Sequence, residues 1–175
     1  MKNILVYCIL LACIGCKEIT YREPQPKGVE SLRRIPKNLQ GKYLLPEDNR
    51  SVRDTLVVQS NTYFASSDPK RGSHLSDSLL LKFYKGFYFI SINDRPEWLL
   101  RVFEQEKNGD ISCYMLATEE NVFPELLKNL SKEIKVDSTV LPTETLYQID
   151  PSPKELLDLI RKGYFKKTAT LKKIQ

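Results

Sequence analysis

Residues 78–94 read SLLLKFYKGFYFISIND, two apolar runs on either side of Lys85-Gly86. A two-residue turn at that dipeptide sets Tyr84 opposite Phe87. Strand alternation then collects Leu79, Leu81, Phe83, Tyr88, Ile90 and Ile92 on one face. Leu80, Lys82, Tyr84, Phe87, Phe89 and Ser91 fall on the other. The first set is wholly apolar or aromatic, as a core-facing surface should be. The second mixes aromatic and polar groups, so it is either partly covered or presents its aromatics to a partner.

The stretch EWLLRVFEQEKNGDISCYML behaves alike around Asn108-Gly109, the strongest short hairpin signal in the chain. A two-residue turn there puts Trp98, Leu100, Val102, Cys113 and Met115 on one face. It puts Arg101, Phe103, Gln105, Ser112 and Tyr114 on the other. Asp94-Arg95-Pro96 joins the two hairpins, which predicts a four-stranded antiparallel meander. Upstream, GKYLL and DTLVVQS read as strands with residues 46–53 as the loop between them.

Downstream the period changes from two to that of a helix. NVFPELLKNLSKEI places Phe123, Leu126, Leu127, Leu130 and Ile134 on one stripe, with Asn121 as the expected cap and Pro124 in the first turn. In SPKELLDLIRKG, Ser152 caps, Pro153 opens, Glu155 completes a capping box and Gly163 supplies the stop. The second helix lies between the probable strands LYQID and ATLKKI. The fold class is therefore α+β: an antiparallel sheet built as a meander of hairpins, two helices on one face, and a strand–helix–strand ending.

Cysteine changes the picture at the N-terminus. Three of the four cysteines occur within the first sixteen residues. Residues 4–14 are almost entirely apolar behind Lys2, too short for a membrane span of about 20 residues but suited to a secretory signal of about 7 to 15. The segment LLACIGCKE resembles the lipobox of bacterial lipoproteins. That resemblance implies a diacylglycerol thioether on a cysteine, cleavage just before it, and acylation of the new amine. Cys16 is favoured, because stopping at Cys13 leaves about eight apolar residues, near the lower limit; Cys13 is the alternative. Firm membrane attachment would follow, since each buried methylene contributes about 0.8 kcal/mol. The expected location is the bacterial cell envelope, on the outer membrane at its periplasmic or surface face. Export makes nucleic acid an unlikely partner.

Residues 17–37, KEITYREPQPKGVESLRRIPK, hold three prolines, a glycine and nine charged groups without periodicity. Such a composition buries little, so residues 16–37 are expected to be the lipidated cysteine plus a flexible tether. As a random coil it would span roughly 25 Å. Residues 1–15 are then the signal peptide, and residues 38–175 a single α+β domain. The formal charge is +5, yet residues 161–175 alone carry +6 from Arg161, Lys162, Lys166, Lys167, Lys172 and Lys173. Counter-charge to anionic headgroups or a glycan is one use of these cations. Protection of a final edge strand is the commoner one.

Candidate chemistry is sparse. His74 is the only histidine, set in a polar stretch without a nucleophile elbow, and one histidine with one mature thiol cannot make a zinc site. Cys113, on an apolar hairpin face, reads as a buried inert thiol. Glu104/Glu106 and Glu119/Glu120 are carboxylate pairs, the former on one strand face near a charged turn. No metal or cofactor is expected.

The suggestive feature is aromatic. Tyr84, Phe87, Phe89, Phe103 and Tyr114 form a candidate binding patch for an envelope protein or glycan if the helices leave them exposed. The expected function is a lipid-anchored, non-enzymatic binding or structural accessory module. GKYLL followed by DTLVV also resembles the first strand of lipocalins, with Tyr43 at the Trp position, which implies a carrier of an apolar ligand. A wall or glycan hydrolase is a third reading.

Overall fold

The computed structural model describes residues 19–46, 54–94, 96–119, 121–140 and 145–174. Cys13 and Cys16 lie outside them, as does most of the 46–53 loop. The class is α+β; among the described residues there are a mixed, mostly antiparallel twelve-stranded sheet and two α-helices. The strands are β1 (Ile19–Tyr21), β2 (Gly41–Leu44), β3 (Thr55–Val58), β4 (Thr62–Ala65), β5 (Ser73–His74) and β6 (Leu79–Tyr84). They continue with β7 (Phe87–Asp94), β8 (Glu97–Gln105) and β9 (Ile111–Leu116). Helix α1 (Phe123–Glu133), β10 (Val136–Val140), β11 (Thr145–Ile149), α2 (Pro153–Arg161) and β12 (Phe165–Ile174) complete the order.

The β6–β7 hairpin has the expected register, Tyr84 opposite Phe87 and Leu79 opposite Ile92. Lys85 and Gly86 both take positive φ, 50° and 94°, the backbone a tight two-residue turn demands. The β8–β9 hairpin differs from expectation. Glu106 pairs with Asp110 (N–H to carbonyl, 2.8 Å), and Gly109 donates to the Glu106 carbonyl at 2.9 Å. The loop is thus three residues, Lys107-Asn108-Gly109, with Gly109 at φ 91°. Asn108 and Asp110 brace it through their side chains. One extra residue flips all of β9: Cys113 now opposes Phe103, and Tyr114 opposes Val102.

Strand β12 joins the two parts of the sheet. Its first part pairs with β9 through Leu171, and its last three residues pair with β2. Among the described residues, Lys166 and Lys167 thus lie where β12 is paired with β9 alone, and Lys172 and Lys173 where it is paired with β2 alone, so each stands beside an unpaired side of the strand, consistent with edge protection. From β12 the order runs one way through β2, β3, β4 and β5, and the other through β9, β8, β7 and β6. The facing sides share one apolar cluster, including Tyr43, Leu56, Tyr63, Leu81, Tyr88, Ile111 and Leu171. The opposite face of β6–β9 packs against α1 and α2, through Phe89, Leu100, Val102, Phe123, Leu130 and Leu156. A sheet buried on both faces explains why both hairpin faces carry aromatics.

The helices follow their sequence signals unequally. In α2, Ser152 and Glu155 form the full capping box, and Leu156, Leu157, Leu159 and Ile160 are buried. In α1 the N-cap position is Val122, without a side-chain cap, so Asn121 does not serve as one.

The largest departure is the segment expected to be a tether. Ile19, Thr20 and Tyr21 are buried as β1, parallel to β11 and touching β8 at Trp98. Gln25 and Pro26 are fully buried. Further on, the Leu32 N–H donates to the Leu81 carbonyl at 2.7 Å, and the Ile35 N–H to the Ser60 carbonyl at 2.8 Å. Residues 31–35 thereby bridge the gap between β6 and the β3–β4 turn. Folding is feasible because the sheet supplies partners for this irregular backbone. Lys82 Nζ donates to the Pro24 and Pro26 carbonyls at 2.7 and 2.9 Å, and the Gln25 N–H donates to Ser91 Oγ at 2.9 Å. Burial pulls the Lys82 ammonium below its ordinary pKa, and Glu23 opposes that shift.

Replacing Lys82 with Met removes this clamp. The Pro26 carbonyl still accepts from the Val29 N–H at 3.3 Å, whereas the Pro24 carbonyl loses the donor described here. Lys82→Met should cost about 1–3 kcal/mol, seen as a lower urea midpoint at unchanged slope. An unchanged midpoint would show that the segment is not held this way.

Candidate functional site

The facing apolar surfaces do not close completely. They leave a cavity of about 80 Å³ whose wall is made of apolar and tyrosine side chains. Leu56, Val58 and Tyr63 come from β3 and β4; Leu81, Tyr88 and Ile90 come from β6 and β7. Ile111 and Leu171 form another part of the wall, and Ile35 and Leu39 from the N-terminal segment cover it. Val58, Leu75, Ile90 and Phe103 are only half-buried and mark its rim. Beside Tyr88 the Phe83 ring is 45 % exposed, with centroids 4.7 Å apart, so an aromatic step leads from solvent to the cavity wall.

Polar contacts hold the cover in place. The Asn38 amide donates to Tyr88 Oη at 3.0 Å and to Gln105 Oε1 at 2.6 Å, while Gln105 Nε2 donates to the Asn38 carbonyl at 2.8 Å. Tyr43 Oη donates to the Leu39 carbonyl at 2.8 Å. Burial, then the Asp110 charge, raises the Tyr43 pKa and keeps this donor protonated. Lys173 Nζ donates to the Asn38 carbonyl at 3.2 Å and stands 5.8 Å from the centre of the Tyr43 ring. The short helical turn Lys37–Leu39 is thus fixed over the cavity.

With its largely apolar wall the cavity favours a short alkyl chain or small ring over water, which needs polar partners. Comparison with family models, curated proteins and solved structures finds no match for this chain.

The five aromatics proposed as one patch are divided between two faces. Phe89 is fully buried, and Tyr84, Phe87 and Tyr114 pack with it against the helical cluster. Phe103 lies on the opposite face, at the cavity rim. The β7–β8 register sets Phe103 apart, opposite Tyr88, while the one-residue shift of β9 brings Tyr114 to the face of Phe87 and Phe89, which the helices cover. His74 is exposed on the short strand β5. Glu104 accepts from Tyr114 Oη at 3.0 Å, and Glu106 accepts from Ser112 Oγ at 2.6 Å and meets Lys167 at 3.5 Å. The Ser112 hydrogen bond, aided by Lys167, lowers the Glu106 pKa, the opposite of what a general acid needs. Glu119 is exposed, and Glu120 lies outside the described residues. Among the described residues no three His, Cys, Asp or Glu side chains gather as a metal requires.

The sequence reading missed Ile35, Leu39 and Leu75 as site residues. Lys82 and Ser91, on a face otherwise apolar and aromatic, do call for backbone partners, which residues 24–26 supply, but no such signal marks Ile35, Leu39 or Leu75.

Burial raises the Cys113 thiol to about 12, with Lys167 opposing weakly. Iodoacetamide at pH 8 should leave Cys113 unmodified in the folded protein and alkylate it in denaturant, as peptide mass spectrometry reads. Rapid native alkylation would contradict the closed core.

Proposed function

We propose that the chain is a lipid-anchored, non-enzymatic binding protein of the bacterial cell envelope, receiving a small apolar group in the cavity between its two sheet parts. One observation carries the binding reading: an apolar-walled space of about 80 Å³ between the two sheet parts. The half-buried rim at Val58, Leu75, Ile90 and Phe103 supplies the approach. The cavity is small beside drug-sized pockets of about 300–1,000 Å³, so the occupant is a short alkyl or aryl portion of a molecule, the remainder staying outside. Binding is favoured over catalysis because the described residues of the wall are aliphatic side chains, two tyrosines and a phenylalanine. The anchor reading rests on the LLACIGCKE segment, with Cys16 favoured over Cys13 for lipid attachment.

Methyl-resolved NMR with n-hexanol as probe tests the binding reading. Saturable shifts at Leu81, Ile90 and Leu171 are expected, and those at Leu81 and Leu171 should vanish in Val58→Phe and Ile90→Phe, which fill the rim. Absence of saturation up to the solubility limit, or unchanged shifts in both folded variants, would refute it.

A further inference from the structure

A strand at the end of a sheet leaves one row of N–H and carbonyl groups open, and native proteins guard that row with charge, shortness or a covering segment. Beside β6 the Leu32 N–H donates to the Leu81 carbonyl at 2.7 Å, and Ser31 bridges to Lys82. The open sides of β12 carry Lys166, Lys167, Lys172 and Lys173, and β5 has only 2 residues. Strand β10 is different. Among the described residues it pairs with β11 alone, and it stands last in the strand order. Ser138, Thr139 and Val140 are exposed, Val140 by 81 %. Its single charge, Asp137, is taken up by Arg22 Nη2 and Lys135 Nζ, each at 2.7 Å.

The sequence of β10, VDSTV, is complementary to itself. A second copy added antiparallel about a two-fold axis through the sheet pairs residues whose numbers sum to an even value, because opposed side chains share a face. Centred on Ser138, this sets Val136 against the partner's Val140, Asp137 against the partner's Thr139, and Ser138 against its own copy. Apolar meets apolar, acid meets hydroxyl, and the whole strand is used. A centre at Asp137 would oppose two like charges. A centre at Thr139 would pair only residues 138–140 among those described. Val136 is half-buried and packs, with Ile134, against the core cluster beneath the helices. Alternation places Val140 on the same face as Val136.

We propose that two copies of this chain associate through β10, continuing the sheet across a two-fold axis at Ser138. The partner's Val140 then lies beside Val136 and carries the apolar face across the junction. On the other face Thr139 meets the partner's Asp137, whose charge Arg22 and Lys135 already balance within each copy. Neither the anchor nor the cavity enters this contact.

Sedimentation equilibrium of the full chain in density-matched detergent, from micromolar to millimolar protein, reads the association. A reversible monomer–dimer equilibrium is expected. Ser138→Lys opposes two cations at the axis, and Thr139→Asp opposes the partner's Asp137; each should weaken the dimer about fivefold or more. Thr139→Lys sets a cation against the same carboxylate and should leave the dimer at least as tight. Both positions are exposed, so urea midpoints close to the parent's will separate loss of association from loss of fold. A monomer at every concentration would overturn the proposal and leave the edge to a strand of another protein. A dimer indifferent to Ser138→Lys and Thr139→Asp would overturn it by placing the contact elsewhere. Equal weakening by Thr139→Lys and Thr139→Asp would overturn the register.

Discussion

The structure depends on the burial of an irregular N-terminal segment against a regular sheet. Irregular backbone inside a protein is costly unless each of its polar groups finds a partner. Lys82 and Ser91 meet that demand for residues 24–26, and the Leu81 and Ser60 carbonyls meet it for Leu32 and Ile35. A lysine is apt because its ammonium offers three donors on a long stem, enough to reach two carbonyls at once. Its desolvation opposes this use, and the two hydrogen bonds and the nearby Glu23 charge offset it.

From that packing the rest follows. The helices cover the face of β6–β9 that bears Phe89 and Val102, and residues 24–26 extend the cover over Lys82 and Ser91. The facing part of the sheet covers Tyr88 and Ile90, with β12 as the shared strand. Residues 31–39 then bridge the open side and lay Ile35 and Leu39 over the cavity. One continuous stretch of chain thus supplies both the backbone held by Lys82 and Ser91 and the cover over the cavity.

Much of this was legible in the residues. Strict alternation around Lys85-Gly86 fixed both the register and the faces of β6 and β7, and Ser152 with Glu155 announced α2. The β8–β9 faces were misjudged because Asn-Gly serves two-residue and three-residue loops alike, and one residue reverses every side chain. Strand β4 has only four residues, β5 and β10 are short and largely polar, and β1 has only three residues between charged and proline-rich neighbours. Composition misled most at residues 19–37. Prolines and charges describe a chain that cannot form regular structure by itself; they do not describe what a ready-made sheet can do with it. The cavity was invisible for a related reason, since its walls come from strands distant in sequence.

The most direct test is residue-resolved amide hydrogen exchange on the mature protein. If residues 19–37 belong to the core, the amides of Gln25, Leu32 and Ile35 will exchange with the slow amides of β7 and β8, in the global unfolding class. If those three exchange at unprotected rates while β7 and β8 stay protected, the segment is a tether after all. The cover over the cavity would then fail with it.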